Sequence, residues 1–231
     1  MTGIAERTRN LLALVPDHVT VLAAAKTRSA EEIHTALRAG ISLLGANYVH
    51  EAKSQQEALS TQIAAQSSPT TSPVWHMIGH LQRNKVSEAV HLFDMIQTVD
   101  SLRLARRIDT TCEKIDRIMP ILIEVNSARE PQKAGVLPED VLALVRTLAP
   151  LHSIEIRGLM TMGPYLEEPE RIRPYFRETR QLFDEIAASS IPGVKMEILS
   201  MGMSDSYQIA IEEGATLIRL GTTLFGPRPS A

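Results

Sequence analysis

Lys26 closes a short apolar run, Val19-Thr20-Val21-Leu22-Ala23-Ala24-Ala25. In an extended segment Leu22, Ala24 and Lys26 share one face, and Ala24 leaves room beside the lysine stem. A lysine amine partly withdrawn from water is a nucleophile toward carbonyl carbon and can form a Schiff base. Taken alone, the position more often holds a lysine that ends a strand and points to solvent, as most lysines do. Arg219 lies inside a second apolar run, Thr216-Leu217-Ile218-Arg219-Leu220-Gly221. A permanently charged guanidinium there requires a partner, either a carboxylate of the protein or a ligand. Two late segments carry the residue types of an anion site, Ser200-Met201-Gly202-Met203-Ser204-Asp205 and Gly221-Thr222-Thr223-Leu224-Phe225-Gly226. Their hydroxyls, glycines and helix starts suit phosphate oxygens. Ser204-Asp205 reads as a helix cap as well, and the two roles are compatible.

Other candidates carry less. His76 and His80 have the i,i+4 spacing of a helical metal pair, but they fall on a strand and its following loop, where that spacing does not converge. His50-Glu51 lacks the second histidine of a zinc-protease helix, and no metal site is expected. Met77, Met160, Met162, Met196, Met201 and Met203 read as core filling. Arg103, Arg106 and Arg107 read as a solvated helix face. Cys112 is the one cysteine, so no intramolecular disulfide forms and a reducing compartment is expected.

The elements that would position these residues repeat in kind. Predicted strands are Val19–Ala25, Ser42–Ala46, Val74–Gly79, Asp94–Thr98, Pro120–Asn126, Ile154–Met160, Lys195–Met201 and Thr216–Leu220. Predicted helices are Ile4–Leu14, Glu31–Ala39, Tyr48–Ala65, Asn84–His91, Ser101–Lys114, Pro138–Leu148, Pro169–Ala188 and Asp205–Glu213. Ser29-Ala30-Glu31-Glu32 is a helix-start signature and Gly40 a stop. The strands are apolar almost throughout, as when both faces are covered. Eight strand–helix units in 231 residues predict a closed (β/α)8 barrel, with an open doubly wound sheet as the competing arrangement. In a barrel, chemistry collects at the carboxyl ends of the strands, and phosphate commonly binds at the loops after strands seven and eight.

No linker divides the chain, so residues 1–231 read as one domain. The polar stretch Gln66–Pro73 is a loop and Pro227–Ala231 a tail. With 24 Lys+Arg against 27 Asp+Glu, the formal net charge of −3 argues against nucleic-acid binding driven by phosphate neutralisation. Hydrophobic content of 44% and charged content of 22% are those of an ordinary globular protein. No run approaches the roughly 18 apolar residues of a membrane span, and Met1–Arg7 lacks the order of a secretory signal. A cytoplasmic location is expected.

The strand-end segments also carry a resemblance. Val21–Thr27, Gly45-Ala46-Asn47-Tyr48-Val49, Trp75–Lys85, Arg157-Gly158-Leu159-Met160-Thr161-Met162, Leu199–Ser204 and Ile218–Gly226 resemble, in order and over essentially the whole chain, the pyridoxal-phosphate homeostasis protein family. The resemblance implies the alanine racemase amino-terminal barrel and pyridoxal 5'-phosphate held as an internal aldimine on Lys26. It implies Ser200, Ser204, Gly221 and Thr222 around the phosphate, Arg219 facing the pyridine nitrogen, and Asn47, His76, Met160 and Met201 nearby. Asn126, Glu130, Lys133 and Gly135 match the family's fifth-loop pattern. Ala46 departs from it, standing where a glutamate is usual, which implies one polar contact fewer near the cofactor.

Arginine cannot accept a proton at neutrality, so a pyridine nitrogen facing Arg219 stays unprotonated and the cofactor is a weak electron sink. The expected function is therefore a carrier and regulator that holds the cofactor reversibly and releases it to apo-enzymes, without robust catalysis and as a monomer. Two alternatives stand beside it. One is a low-activity amino-acid racemase using a single base plus water or Tyr48, since eight βα units leave no second domain to supply another acid/base. The other is a sugar-phosphate enzyme with a Schiff-base lysine and no cofactor.

Overall fold

The computed structural model describes residues 3–64 and 72–227. Most of the expected loop 66–73 and of the tail 227–231 lies outside them. Eight strands run β1 (Thr20–Ala24), β2 (Leu43–Ala46), β3 (Val74–Met77), β4 (Met95–Val99), β5 (Met119–Val125), β6 (Ile154–Thr161), β7 (Val194–Ser200) and β8 (Leu217–Leu220). The helices are α1 (Ile4–Leu14), α2 (Ala30–Arg38), α3 (Val49–Ala64), α4 (Val86–Leu92), α5 (Leu102–Glu113), α6 (Val141–Leu148), α7 (Arg173–Ala188), α8 (Tyr207–Glu212) and α9 (Thr222–Phe225). Every strand is parallel to its neighbours in the order 1 to 8, and β1 pairs with β8 through Ala23 and Leu220. The sheet is closed, so the chain forms a (β/α)8 barrel and the open doubly wound alternative is excluded.

Local chemistry explains the boundaries. Ser29 and Glu32 form a reciprocal capping box at the start of α2: the Glu32 amide donates to Ser29 Oγ and the Ser29 amide to the Glu32 carboxylate. Its end is a Schellman turn, with Gly40 N–H on Leu37 O and Ile41 N–H on Ala36 O. The helices expected from Asn84, Pro138 and Pro169 each open with a short 3-10 turn before the α-helix. The helix expected over Asp205–Glu213 is shorter, because Ser206 first closes a turn with Met203 through backbone and side chain. Among the described residues after β8 the one helix is the single turn α9, where the sequence predicts a loop. Helix α1 packs against both α2 and α9 and so completes the outer ring where a full eighth helix would sit.

Two hydrophobic layers result. The outer one, between sheet and helices, takes alternate strand residues such as Ala23, Leu44, Met77, Leu199 and Ile218. The inner one fills the barrel with Leu22, Leu43, Ile78 and Leu217 on one side and Met95, Leu122 and Met160 on the other. Met162 departs from the expected core role: it is exposed at the end of β6. Arg103, Arg106 and Arg107 are exposed as expected. Among the described residues no helix is long and apolar enough to cross a membrane.

Candidate functional site

Above the apolar interior the inward-facing positions turn polar. The two-residue period carries the inward face from Met95 to Gln97 on β4, from Leu122 to Glu124 on β5, from Ile198 to Ser200 on β7 and from Leu217 to Arg219 on β8. His76 on β3 is inward as well, paired with Gly45, where an added Cβ would strike the interior Leu22 side chain. All five side chains are buried. Arg219 NH1 donates to Ser200 Oγ at 2.7 Å, and NH2 donates to the Thr161 carbonyl at 2.8 Å. Ser200 Oγ donates to Gln97 Oε1 at 2.7 Å, and Gln97 Nε2 meets His76 Nδ1 at 2.8 Å. Thus Arg219 is satisfied by neutral oxygens.

Burial dominates the acid–base character of this floor. It lowers His76 to about 4. It raises Glu124 to about 7, helped by the charge of Asp100 and opposed by Arg219. It lowers Arg219 to about 10, opposed by Glu124, so the guanidinium stays cationic at neutrality. One Glu124 carboxylate oxygen, Oε2, is sealed and makes no hydrogen bond among the described residues.

The mouth above the floor is built by strand ends. Lys26 stands two residues past β1, with Nζ 5.2 Å from the centroid of the Tyr48 ring, which stacks on His50. Helix α3 holds the lysine's turn. Gln55 Nε2 donates to Ala25 O and Arg28 O, and Glu51 accepts from the Thr27 amide at 2.5 Å. Thr27 adopts φ 63°, a left-handed geometry uncommon for a β-branched residue. Barrel closure places this turn beside the end of β8. An added Cβ on Gly221 would meet Ala24 Cβ at 3.8 Å and the Ala24 carbonyl oxygen at 3.9 Å, so a methyl group would sit there in ordinary van der Waals contact. Next to it, the Thr223 amide donates to Ser204 Oγ at 3.3 Å, tying the β7 and β8 loops together. Arg28 anchors the far end of that segment through the Gly226 carbonyl at 2.7 Å and the face of Phe225.

Lys26, Asn47, Ser204, Gly221 and Thr222 therefore share the carboxyl face, with His76, Met160, Ser200 and Arg219 beneath it. Three adjoining depressions run from Lys26 past Tyr48 and His50, then Asn47 and His80, to a cavity of about 280 Å³ bordered by Glu124, Ser127, Lys133 and Met162. Ser204, Gly221 and Thr222 lie on the β7–β8 side and line none of the three. Met201 belongs to the outer layer, so only its backbone faces the mouth. Ala46 does too, so its side chain points to the helices and the departure at that position removes nothing from the barrel interior. The fifth-loop residues build their own loop. Asn126 exchanges hydrogen bonds with the backbone of Glu130, and Lys133 pairs with the Glu130 carboxylate at 2.6 Å. The sequence reading missed Gln97, Glu124, Arg28 and Gln55. The signal for the first two was present: each is a polar residue inside an apolar strand, which requires a buried partner.

The family model described as alanine racemase, N-terminal domain, matches residues 2–229. The pyridoxal phosphate homeostasis protein of Aquifex aeolicus is 39% identical over 90% of this chain and 86% of its own length. The chain belongs to the pyridoxal phosphate homeostasis protein family. Among solved structures, PipY of Synechococcus elongatus PCC7942 with pyridoxal phosphate bound superposes with a TM-score of 0.85 at 34% identity, covering 96% of this chain and all of that one. Alanine racemase of Clostridium difficile 630 shares the fold alone, with a TM-score of 0.78 at 13% identity over 99% of this chain and 60% of that chain.

Proposed function

We propose that this protein binds pyridoxal 5'-phosphate at the carboxyl face of its barrel and serves in the cell's handling of that cofactor. The observation that carries the reading is the juxtaposition made by closing the barrel. A lysine turn and a glycine-started loop lie on adjacent strand ends, over a buried arginine. The donor set suits the group. Lys26 Nζ is the amine for its aldehyde carbon. The Thr222 amide and the Ser204 and Thr222 hydroxyls suit its phosphate. Arg219, Met160, His76 and Asn47 suit its ring, and Ser200 acts from below by holding Arg219.

When bound, the group supplies an electrophilic carbonyl carbon and a ring that can withdraw electrons. Arg219 offers only donors, so it cannot hold a proton on a ring nitrogen as a carboxylate does. This supports a carrier and regulator over an efficient catalyst. Transfer to an apo-enzyme requires only another amine to compete with Lys26 Nζ. The described residues of the barrel supply every group named, and the same reading takes the protein as a one-domain cytoplasmic monomer.

Mixing purified protein with pyridoxal phosphate should give a yellow species that survives gel filtration. Borohydride followed by peptide mapping should mark Lys26, and Lys26→Ala should lose the colour. A protein that stays colourless defeats the reading. Tyr48, the residue beside Lys26 able to exchange a proton, keeps a racemase reading alive. Chiral analysis after incubation with L-alanine tests it: sustained turnover above that of free cofactor would favour the racemase.

A further inference from the structure

The polar floor is more than a set of satisfied groups, because one direction along it gives each proton an acceptor among the described residues. Arg219 has donors and no acceptor. Its Nη1 therefore takes one lone pair of Ser200 Oγ. The single hydroxyl proton of Ser200 then goes to its other close neighbour, Gln97 Oε1. With its carbonyl turned to Ser200, Gln97 faces His76 Nδ1 with its NH2 group, which only donates. His76 Nδ1 must be the bare acceptor, and the ring proton must sit on Nε2. Burial keeps the ring neutral at physiological pH. Nε2 makes no hydrogen bond among the described residues, and His76 retains 6% of its surface.

We infer that Gln97 is a positioning residue: it relays the donor polarity of Arg219 through Ser200 and sets His76 as a fixed Nε2–H donor for an anionic oxygen of a ligand seated on the barrel floor. The site thus favours a ring carrying an ionised hydroxyl next to its reactive carbon. The ligand side of this inference rests on the cofactor reading, whereas the tautomer does not.

The test uses the whole protein, 15N-labelled and free of cofactor, with His76 assigned by the loss of its signals in His76→Gln. Long-range 1H–15N spectra at neutral pH should show the proton on Nε2. In Gln97→Glu the carboxylate accepts from both neighbours, so the proton should move to Nδ1. A wild-type ring protonated on Nδ1, or a folded Gln97→Glu whose His76 pattern is unchanged, overturns the inference. If Gln97→Glu does not fold, Ser200→Ala interrupts the same chain one bond earlier: mixed tautomers support the relay and an unchanged Nε2–H pattern refutes it. Loading with pyridoxal phosphate gives the second readout. The visible band of Gln97→Glu should be displaced from that of the wild type, and identical bands would refute the donor role. A wild type that takes up no pyridoxal phosphate would instead sink the cofactor reading and leave the tautomer result standing.

Discussion

Gly221 and Ser200 show how residue type and residue role separate. Both stood out in the sequence as phosphate-loop residues. In the folded chain Ser200 is fully buried, with its hydroxyl committed to Arg219 and Gln97. At Gly221 a Cβ would meet only Ala24, at ordinary contact distance. Gly221→Ala should therefore unfold within about 1 kcal/mol of the wild type yet, on the proposed phosphate site, retain less pyridoxal phosphate on gel filtration. A variant that keeps both would assign the phosphate elsewhere. Lys26 was legible because a charged residue ends an apolar run. Arg28 was not, because a basic residue in a polar turn is unremarkable until the chain end it clamps, 198 residues away, is brought to it.

Among the elements, β6 sets the level of the floor. Its pairing slips between Ile156 and Gly158 against β7 and, on the other side, opposite Ile121 and Ile123 of β5. The slip brings Met160 level with Ser200 and Glu124. Gly158 makes it possible: it adopts φ 147°, and a Cβ there would lie 1.8 Å from the Ile198 carbonyl oxygen. Gly158→Ala should cost about 3 kcal/mol in urea unfolding, since backbone strain and a backbone collision act together. A loss below about 1 kcal/mol would mean that the register is held by other contacts. The strands and most helix starts were readable because apolar runs and caps are local signals. The slip was not, because it depends on which carbonyl of a neighbouring strand faces the glycine. The last turn, α9, was missed for a related reason: four residues carry too little periodicity to read.

For the whole molecule the buried floor predicts a pH dependence with two opposing parts. Glu124 is raised from 4.5 to about 7, so the folded state holds a proton that the unfolded chain has lost, and stability falls as pH rises across that window. His76 is lowered from 6.5 to about 4, so the unfolded chain takes up a proton first, and stability falls as pH drops through that window. The windows nearly coincide and each effect is about 3 kcal/mol, so between about pH 4.5 and 6.5 they offset. The hydrogen bond from Arg173 holds Glu170 below the ordinary carboxyl value, and that from Arg177 does the same for Glu213, so these groups act only at lower pH. Glu124→Gln should uncover the histidine: its stability by denaturant titration should drop by about 3 kcal/mol from pH 6.5 to pH 4, while the wild type stays comparatively flat. A flat Glu124→Gln profile would remove His76 from the account. The sequence by itself determined the eightfold alternation, the closing lysine and the two late loops, because periodicity, caps and misplaced charges are written in neighbouring residues. Only the tertiary structure decided which polar side chains face one another across the barrel. Those partners sit on different strands, and a hydrogen-bond chain from β8 to β3 exists only once the sheet has closed.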